Sequence, residues 1–299
     1  MKVLVTGGTG FLGRQVVKQA REAGHEVWPF GSNQCDLTKE ELKSGCPVDV
    51  VIHLAANVGG IGKNQRLPAT LAYDNLRMGM NAISFCVKNK CKLVLASTIC
   101  SYPKYAKVPF QESDLWSGYP EETNAPYGLA KKMLMVLAEA HHREHGLKQI
   151  TLLPVNLYGP YDNFDLEDSH VIPAMIRKMH EAKESSNPTV TLWGDGSPTR
   201  EFLYVEDCAG AFVSAMDKEC DGPVNVGSGM ETTMRDLASM IKGVVGYDGD
   251  VIWDASKPNG QPRRCLNVTK AAMVLGWKAT TPFLEGLRRT YDHYESIAE

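Results

Sequence analysis

Lys2-Val3-Leu4-Val5-Thr6-Gly7-Gly8-Thr9-Gly10-Phe11-Leu12-Gly13-Arg14 is the stretch that decides the fold. Residues 2–6 read as a strand, and the apolar residues of 11–23 recur at helical spacing. Between them Gly7, Gly10 and Gly13 form G-x-x-G-x-x-G. A strand that turns into a helix through such glycines is suited to a pyrophosphate. One glycine makes the tight turn, one lets the backbone approach the ligand, and one lets helix and strand pack closely. The unpaired N–H groups of the helix N-terminus then face the phosphates. A glycine pattern alone is a weak signal, but its place between a strand and a helix makes it strong. Gly7, Thr9, Gly10, Phe11, Leu12, Gly13 and Arg14 are therefore candidate dinucleotide contacts.

Outward from this loop, strands and helices alternate. Strands are predicted at 26–30, 48–54, 93–97 and 149–154, and helices at 71–89 and 127–145. The run Val48-Asp49-Val50-Val51-Ile52-His53-Leu54 is almost continuously apolar, as in a strand buried on both faces. Such alternation with short connections predicts an α/β fold, a Rossmann-type doubly wound parallel sheet. Beyond Gly159 the pattern changes. Helices at 171–183, 205–216, 234–244 and 282–297 are separated by short strands and Gly/Pro turns. The expected organisation is a dinucleotide-binding domain over 1–160 and a smaller, mixed α/β substrate domain over 161–299. Segments near 201–226, among them the strand 201–204, are expected to return to the first sheet.

Composition narrows the class. The 299 residues suffice for one large domain or two modest ones. A net charge of -3 gives no basic field for nucleic acid or an anionic membrane, so phosphates must be held by a few local cations and backbone amides. No apolar run approaches the roughly 20 residues that span a bilayer, and the start is too short for a signal-peptide core. Eight cysteines without a C-x-x-C pair read as reduced thiols of a cytoplasmic protein, with no metal site.

The chemistry is carried by Tyr127 and Lys131, which share a helix face at i and i+4. A free tyrosine, with a pKa near ~10, holds its proton too tightly to exchange it readily at neutral pH. An ammonium about 4–5 Å away contributes on the order of 3–4 kcal/mol at an effective dielectric of ~20. Before desolvation, that predicts a pKa lowered by roughly 2–3 units. The hydroxyl cluster Ala96-Ser97-Thr98-Ile99-Cys100-Ser101 follows a buried strand, where ligands of open α/β sheets sit. After the second strand comes Phe30-Gly31-Ser32-Asn33, with neither the acidic residue of many NAD enzymes nor an arginine. Arg14 is placed to reach a 2′-phosphate, which favours NADP. Asp36-Leu37 either caps the adenine or provides, through Asp36, the N-cap of a following helix.

Further stretches join these. They are His53-Leu54-Ala55-Ala56-Asn57-Val58-Gly59-Gly60, Thr98-Ile99-Cys100-Ser101-Tyr102-Pro103-Lys104 and Asn124-Ala125-Pro126-Tyr127. Then come Pro154-Val155-Asn156-Leu157-Tyr158-Gly159-Pro160, Asp162-Asn163-Phe164, Ser169-His170-Val171-Ile172-Pro173 and the run from Trp193 to Leu203. Over nearly its whole length the chain resembles the GDP-L-fucose synthases, epimerase/reductases of the extended short-chain dehydrogenase/reductase superfamily. The resemblance implies that a GDP-4-keto-6-deoxy-mannose is epimerised at C3 and C5 and then reduced at C4 with NADPH. Cys100 and His170 fall on the family's acid/base pair, and Thr98 on its catalytic serine. Tyr127 would protonate the C4 oxygen while Lys131 tunes it. Cofactor contacts are implied for Leu54, Ala55, Ala56, Asn156 and Leu157 beside the glycine loop and Asp36-Leu37. Substrate contacts are implied for Asn163, His170, Lys178, Trp193, Arg200 and Arg264, with Arg200 the best pyrophosphate ligand. In the motif from Lys257 through Pro258 to Arg264, Asn259 stands where the family often has Asp. Ser32 and Thr9 stand where some members carry arginine. A homodimer through helices 71–89 and 127–145 is likewise expected.

Blander and rival readings stand beside these. A cysteine beside a buried strand is usually a small core residue, and His170 could merely cap a helix. His53 reads as structural. A sister enzyme that only reduces or only epimerises another GDP-keto-sugar, such as a heptose, is the alternative. A silent cofactor-binding partner protein is a third.

Overall fold

The computed structural model describes residues 1–257 and 259–298, so Pro258 of the 257–264 motif lies outside the described residues. The first half runs β1 (Lys2–Thr6), α1 (Phe11–Glu22), β2 (Glu26–Phe30), β3 (Val50–His53), α2 (Ile61–Arg66), α3 (Pro68–Asn89), β4 (Lys92–Ala96), α4 (Ala125–His145) and β5 (Gln149–Pro154). The second half runs β6 (Asn156–Tyr158), α5 (Val171–Glu184), β7 (Thr189–Trp193), β8 (Thr199–Tyr204), α6 (Val205–Ser214), β9 (Val224–Val226), β10 (Glu231–Thr233), α7 (Met234–Val245), β11 (Asp250–Asp254), β12 (Arg263–Arg264), α8 (Thr269–Leu275) and α9 (Phe283–Ala298).

Six strands form one parallel sheet in the order β2-β1-β3-β4-β5-β9. The chain moves from β1 outward to β2, then returns to β3 on the other side of β1. That reversal is a topological switch point, and right-handed crossovers put α1 and α3 on opposite faces. α1 packs with α6, and α3 with α4. With both faces covered, all four residues of β3 and the centre of β4 are buried, which explains their unbroken apolar reading. Gly79 of α3 lies directly on the Leu134 side chain of α4, where a Cβ would collide, so this helix pair packs closely.

After β5 a single buried residue, Val155, carries the chain into β6 and a second unit. There β8 is flanked by β10 and β12 and also pairs with β6, while β7 pairs with β11. α5, α7 and α9 cover these strands around a separate apolar core. The expected return of 201–204 to the main sheet is corrected here: that segment lies in β8, at the centre of the second sheet. The physical reason lies in its partners: buried Glu201 accepts the N–H groups of Gly229 and Leu266, tying the strand to the segments beside β10 and β12. The strand that does return is β9, which pairs with β5. Among the described residues no helix is long and apolar enough to cross a membrane.

Candidate active site

The glycine loop sits at the switch point, between the carboxyl ends of β1 and β3. Gly7 has φ +70°, and a Cβ there would stand 2.7 Å from the Ala55 nitrogen. Leu54 and Ala55 therefore press directly on the loop, with Leu54 N–H donating to the Thr6 carbonyl at 3.0 Å. Gly13 lies against the Gly7 carbonyl and 2.7 Å, at its missing Cβ, from Gly8 Cα, which is the helix–strand closeness read from the sequence. α1 begins at Gly10 with no side-chain cap and no acidic residue in its first turn. Its leading amides are free for an anion, so these residues fit a dinucleotide pyrophosphate. Thr9 abuts Gly31 at the end of β2, and Ser32 and Asn33 beyond it are exposed. Arg14 donates from Nε to the Thr9 carbonyl at 2.8 Å, and its guanidinium carbon lies 5.3 Å from the centre of the Tyr161 ring.

Asp36 is corrected in one respect: no helix follows it, only a turn. Its carboxylate accepts from the Thr38 hydroxyl at 2.6 Å and meets Lys39 at 2.8 Å, and these contacts hold its pKa down to about 2. Leu37 is buried in the main core, and its carbonyl accepts from Asn81 at 2.7 Å. Ala56 is half-buried just after Ala55. Asn156 and Leu157 are half-buried on β6, and the Asn156 amide donates to the Glu201 carbonyl at 3.0 Å.

At the carboxyl end of β4 the chain makes one 3₁₀ turn, Ile99–Ser101, capped by Thr98, whose Oγ1 accepts from the Cys100 N–H at 3.2 Å. α4 begins opposite. Its fourth residue, Gly128, lies on the Cys100 carbonyl with no room for a Cβ, and its own carbonyl accepts from the Ser101 hydroxyl at 3.0 Å. This contact brings Tyr127 beside the Thr98 hydroxyl and close to Cys100. Lys131 is 2% exposed, donates to the Ala96 carbonyl at 3.3 Å and stands 6.0 Å from the centre of the Tyr127 ring.

The expected lowering of the tyrosine pKa is not what the geometry gives. Burial pushes the Tyr127 phenol up, Cys100 pushes it further, and only the neighbouring Thr98 hydroxyl opposes them. Burial also pulls Lys131 down to about 8, so it is a weaker cation than an exposed lysine. His53 is structural: its Nδ1 is 2.8 Å from the Thr6 hydroxyl, and burial beside Lys131 brings its pKa to about 3, so the ring is neutral.

The Cys100 thiol donates to Asn124 Oδ1 at 3.9 Å. That amide is oriented on both sides. Its Nδ2 donates to Glu121 at 2.6 Å, and its Oδ1 also accepts from Asn64 of α2 at 2.9 Å. Both ends of α2 reach the segment before α5. Gly60 N–H donates to the Asp168 carbonyl at 3.0 Å, and Arg66 pairs with Asp168 at 2.8 Å. α2 thus joins the Cys100 turn to the segment that presents His170. His170 is the N-terminal flank of α5, but its ring makes no cap bond, which removes the capping role as its explanation. Asn163 is exposed and spends its carbonyl on the Asp165 N–H at 3.0 Å.

In the second unit Arg264 lies directly across from Arg200 in the β12–β8 register. Arg200 donates to the carbonyls of Thr199 and Gln261 at 2.7 and 2.6 Å, and burial together with Arg264 lowers its pKa to about 10. Arg263, in contrast, is paired with Glu231. Among the described residues neither Arg200 nor Arg264 has a carboxylate within salt-bridge distance, and Arg264 Nε is buried without a partner. Two adjacent half-buried guanidinium groups facing no anion form a ready oxyanion site. Trp193 ends β7, 65% exposed, with Lys257 Nζ 5.8 Å from its ring centre. Lys178 is half-buried on α5, two turns beyond His170.

The sequence profile of the NAD dependent epimerase/dehydratase family matches residues 3–227. The chain belongs to that family. Within it, a probable GDP-L-fucose synthase 1 of Oryza sativa subsp. japonica is 40% identical over 302 residues, covering 98% of this chain and 92% of the relative. A GDP-L-fucose synthetase of Naegleria fowleri bound to NADP superposes with a TM-score of 0.89 at 26% identity, covering 99% of this chain and 94% of that one. A GDP-6-OMe-4-keto-L-xylo-heptose reductase from C. jejuni gives a TM-score of 0.89 at 26% identity, covering 99% and 98%.

The sequence reading of this epimerase/dehydratase missed Asn124, Asn64, Gly128 and Glu201. Glu201 is fully buried and accepts from the N–H groups of Gly229 and Leu266 at 2.7 and 2.6 Å, tying β8 to two returning segments. Gly128 had a signal. A glycine inside a helix costs stability relative to alanine, so a close approach was to be expected there. For the others the partners lie far apart in sequence.

Proposed function

We propose that the protein converts GDP-4-keto-6-deoxy-mannose to GDP-L-fucose by epimerisation at C3 and C5 followed by NADPH reduction at C4. The observation that carries this reading is the junction of Tyr127, Thr98 and Cys100 at the end of β4. Two hydroxyls there can hold a ketone oxygen while a thiol stands beside the neighbouring carbons. Bound NADPH supplies the hydride to the ketone carbon. The chain's own residues do the rest. The Gly7–Gly13 loop and the α1 amides would hold the pyrophosphate of the cofactor, with Arg14 the cation available to its 2′-phosphate. Lys131 bonds the nicotinamide ribose and gives the Tyr127 proton a charged neighbour as it leaves for the sugar oxygen. A ketone acidifies both adjacent C–H bonds, so Cys100 as base and His170 as acid serve each carbon in turn.

On this reading the main sheet unit, residues 1–160 with β9 and α6, holds the cofactor, and most of 161–299 holds the GDP-sugar. Arg200 and Arg264 clamp its pyrophosphate, with Lys178, Trp193 and Asn163 along the same ligand. The outer faces of α3 and α4 support a homodimer. Tyr73 and Met80 on one, and Leu129, Met133 and Val136 on the other, leave apolar side chains in solvent at helical spacing. Met133→Glu would then sediment as a monomer, and an unchanged assembly would remove that interface. The proposed setting is a reducing cytoplasm, suited to eight free thiols.

The deciding experiment supplies the keto-sugar and NADPH in D₂O. The expected product is GDP-L-fucose carrying solvent deuterium at C3 and C5. Turnover of GDP-keto-heptoses alone, or reduction without deuterium, would overturn the reading. NADPH is expected to bind at least as well as NADH.

A further inference from the structure

The turn between β6 and α5 holds a carboxylate that the proposed chemistry does not use. Asp162 has a side chain only 4% exposed, and its Oδ1 lies 4.0 Å from His170 Nδ1. Oδ1 accepts the Asn163 N–H at 2.8 Å, whereas Oδ2 is buried with no hydrogen-bond partner among the described residues. A buried carboxylate oxygen left unpaired is costly, so such groups mark places where a donor is expected. The turn is built to put it there. Tyr161, just before it, takes φ +70°, which a residue with a side chain seldom adopts, and its ring lies 4.3 Å from that of His293 on α9.

The other charged groups nearby are already engaged. Asp168 pairs with Arg66, and Asp165 accepts the N–H groups of Glu167 and Asp168 at 2.9 and 3.0 Å. Arg14 lies against the Tyr161 ring with its Nε on the Thr9 carbonyl, and Glu121 is taken up by Thr123 and Asn124. His170, 45% exposed and free of cap bonds, holds its ring Nδ1 4.0 Å from Oδ1 of this same carboxylate.

We propose that Asp162 is a positioning residue: it takes the Nδ1–H of His170 and so turns Nε2 toward the sugar carbon. A short rotation of the exposed ring closes the 4.0 Å gap to hydrogen-bond length. The two ring nitrogens then have separate tasks. The Nε2–H bond of the imidazolium breaks as the C–H bond forms on the face opposite Cys100, and the bonding pair stays on nitrogen. The neutral ring keeps its Nδ1 proton on Asp162, and solvent restores the proton at Nε2.

This inference rests on the epimerase reading, and the test separates the two. ¹⁵N-histidine NMR of the wild-type protein, with His170 assigned by His170→Gln, reads the tautomer directly without any substrate. The expected neutral form carries its proton on Nδ1, and Asp162→Asn returns it to the Nε2–H form usual in water. Asp162→Asn should also slow solvent deuterium entry at C3 and C5 by about 10–100-fold. Reduction of a keto-sugar supplied already epimerised should stay within about twofold of wild type, whereas a merely structural loss lowers both rates together. Asp162→Glu should recover part of the exchange. An Nε2–H tautomer in the wild type, or equal loss in both half-reactions, overturns the role of Asp162. No deuterium entry in the wild type overturns the epimerase reading itself, while the tautomer still reports on Asp162.

Discussion

At the scale of single residues, burial wins over proximity. The lysine four residues after Tyr127 was expected to pull the phenol toward neutrality, yet desolvation raises Tyr127 and draws Lys131 itself to about 8. A lysine with a depressed pKa is charged below that value and neutral above it. Reduction should therefore fall as pH rises through about 8, and Lys131→Arg should move that limb upward while lowering the rate. A flat profile to pH 10 would remove Lys131 from the proton path. The two half-reactions should also separate by residue. Cys100→Ser should nearly abolish deuterium entry at C3 and C5 and leave NADPH oxidation measurable, and Tyr127→Phe should do the reverse. Wild-type exchange in Cys100→Ser would reduce the thiol to a packed strand-end side chain. Tyr127 and Lys131 were legible from their i, i+4 spacing, whereas Cys100, beside a buried strand, stood out only through the resemblance. Asn124 and Asn64 stayed hidden, since what matters is their bond to each other across 60 positions.

At the scale of elements, the site depends on how α4 meets the 3₁₀ turn after β4. Gly128 leaves no room for a methyl group against the Cys100 carbonyl, a backbone atom that cannot swing aside. Gly128→Ala should cost about 1–3 kcal/mol by overpacking, despite alanine's better helix propensity. It should also depress exchange and reduction alike, because it shifts Tyr127 and Cys100 together. Thermal unfolding and the two rates check this, and a stabilised, active variant would contradict the contact. The long elements were readable to within a few residues: α1, α3, α4 and β5 announce themselves by periodicity or by continuous apolar runs. α2 was not, because Ile61-Gly62-Lys63-Asn64-Gln65-Arg66 carries no amphipathic pattern. Nor were β9, β10 and β12, which run only two or three residues and exist through their partners. The misplacement of 201–204 has the same cause: a strand's own residues do not say which sheet will receive it.

At the scale of the whole molecule, two sheets meet at Val155, and Arg200 and Arg264, with no carboxylate within salt-bridge distance among the described residues, lie in the smaller unit, away from the Thr98–Tyr127 hydroxyls. Arg200→Ala should raise KM for the GDP-sugar and change kcat little, because a pyrophosphate contact is made equally in ground and transition states. A loss confined to kcat would move Arg200 into the chemistry. The Arg200–Arg264 pairing across β8 and β12 has one more consequence. On the proposed reading, the pyrophosphate it would grip passes through both epimerisations and the reduction without gaining or losing an atom. A grip indifferent to the sugar holds what has been made as firmly as what is to be consumed, so GDP-L-fucose should compete with its precursor at comparable concentrations. The finished nucleotide sugar would then throttle its own formation at this step until a later enzyme draws it away.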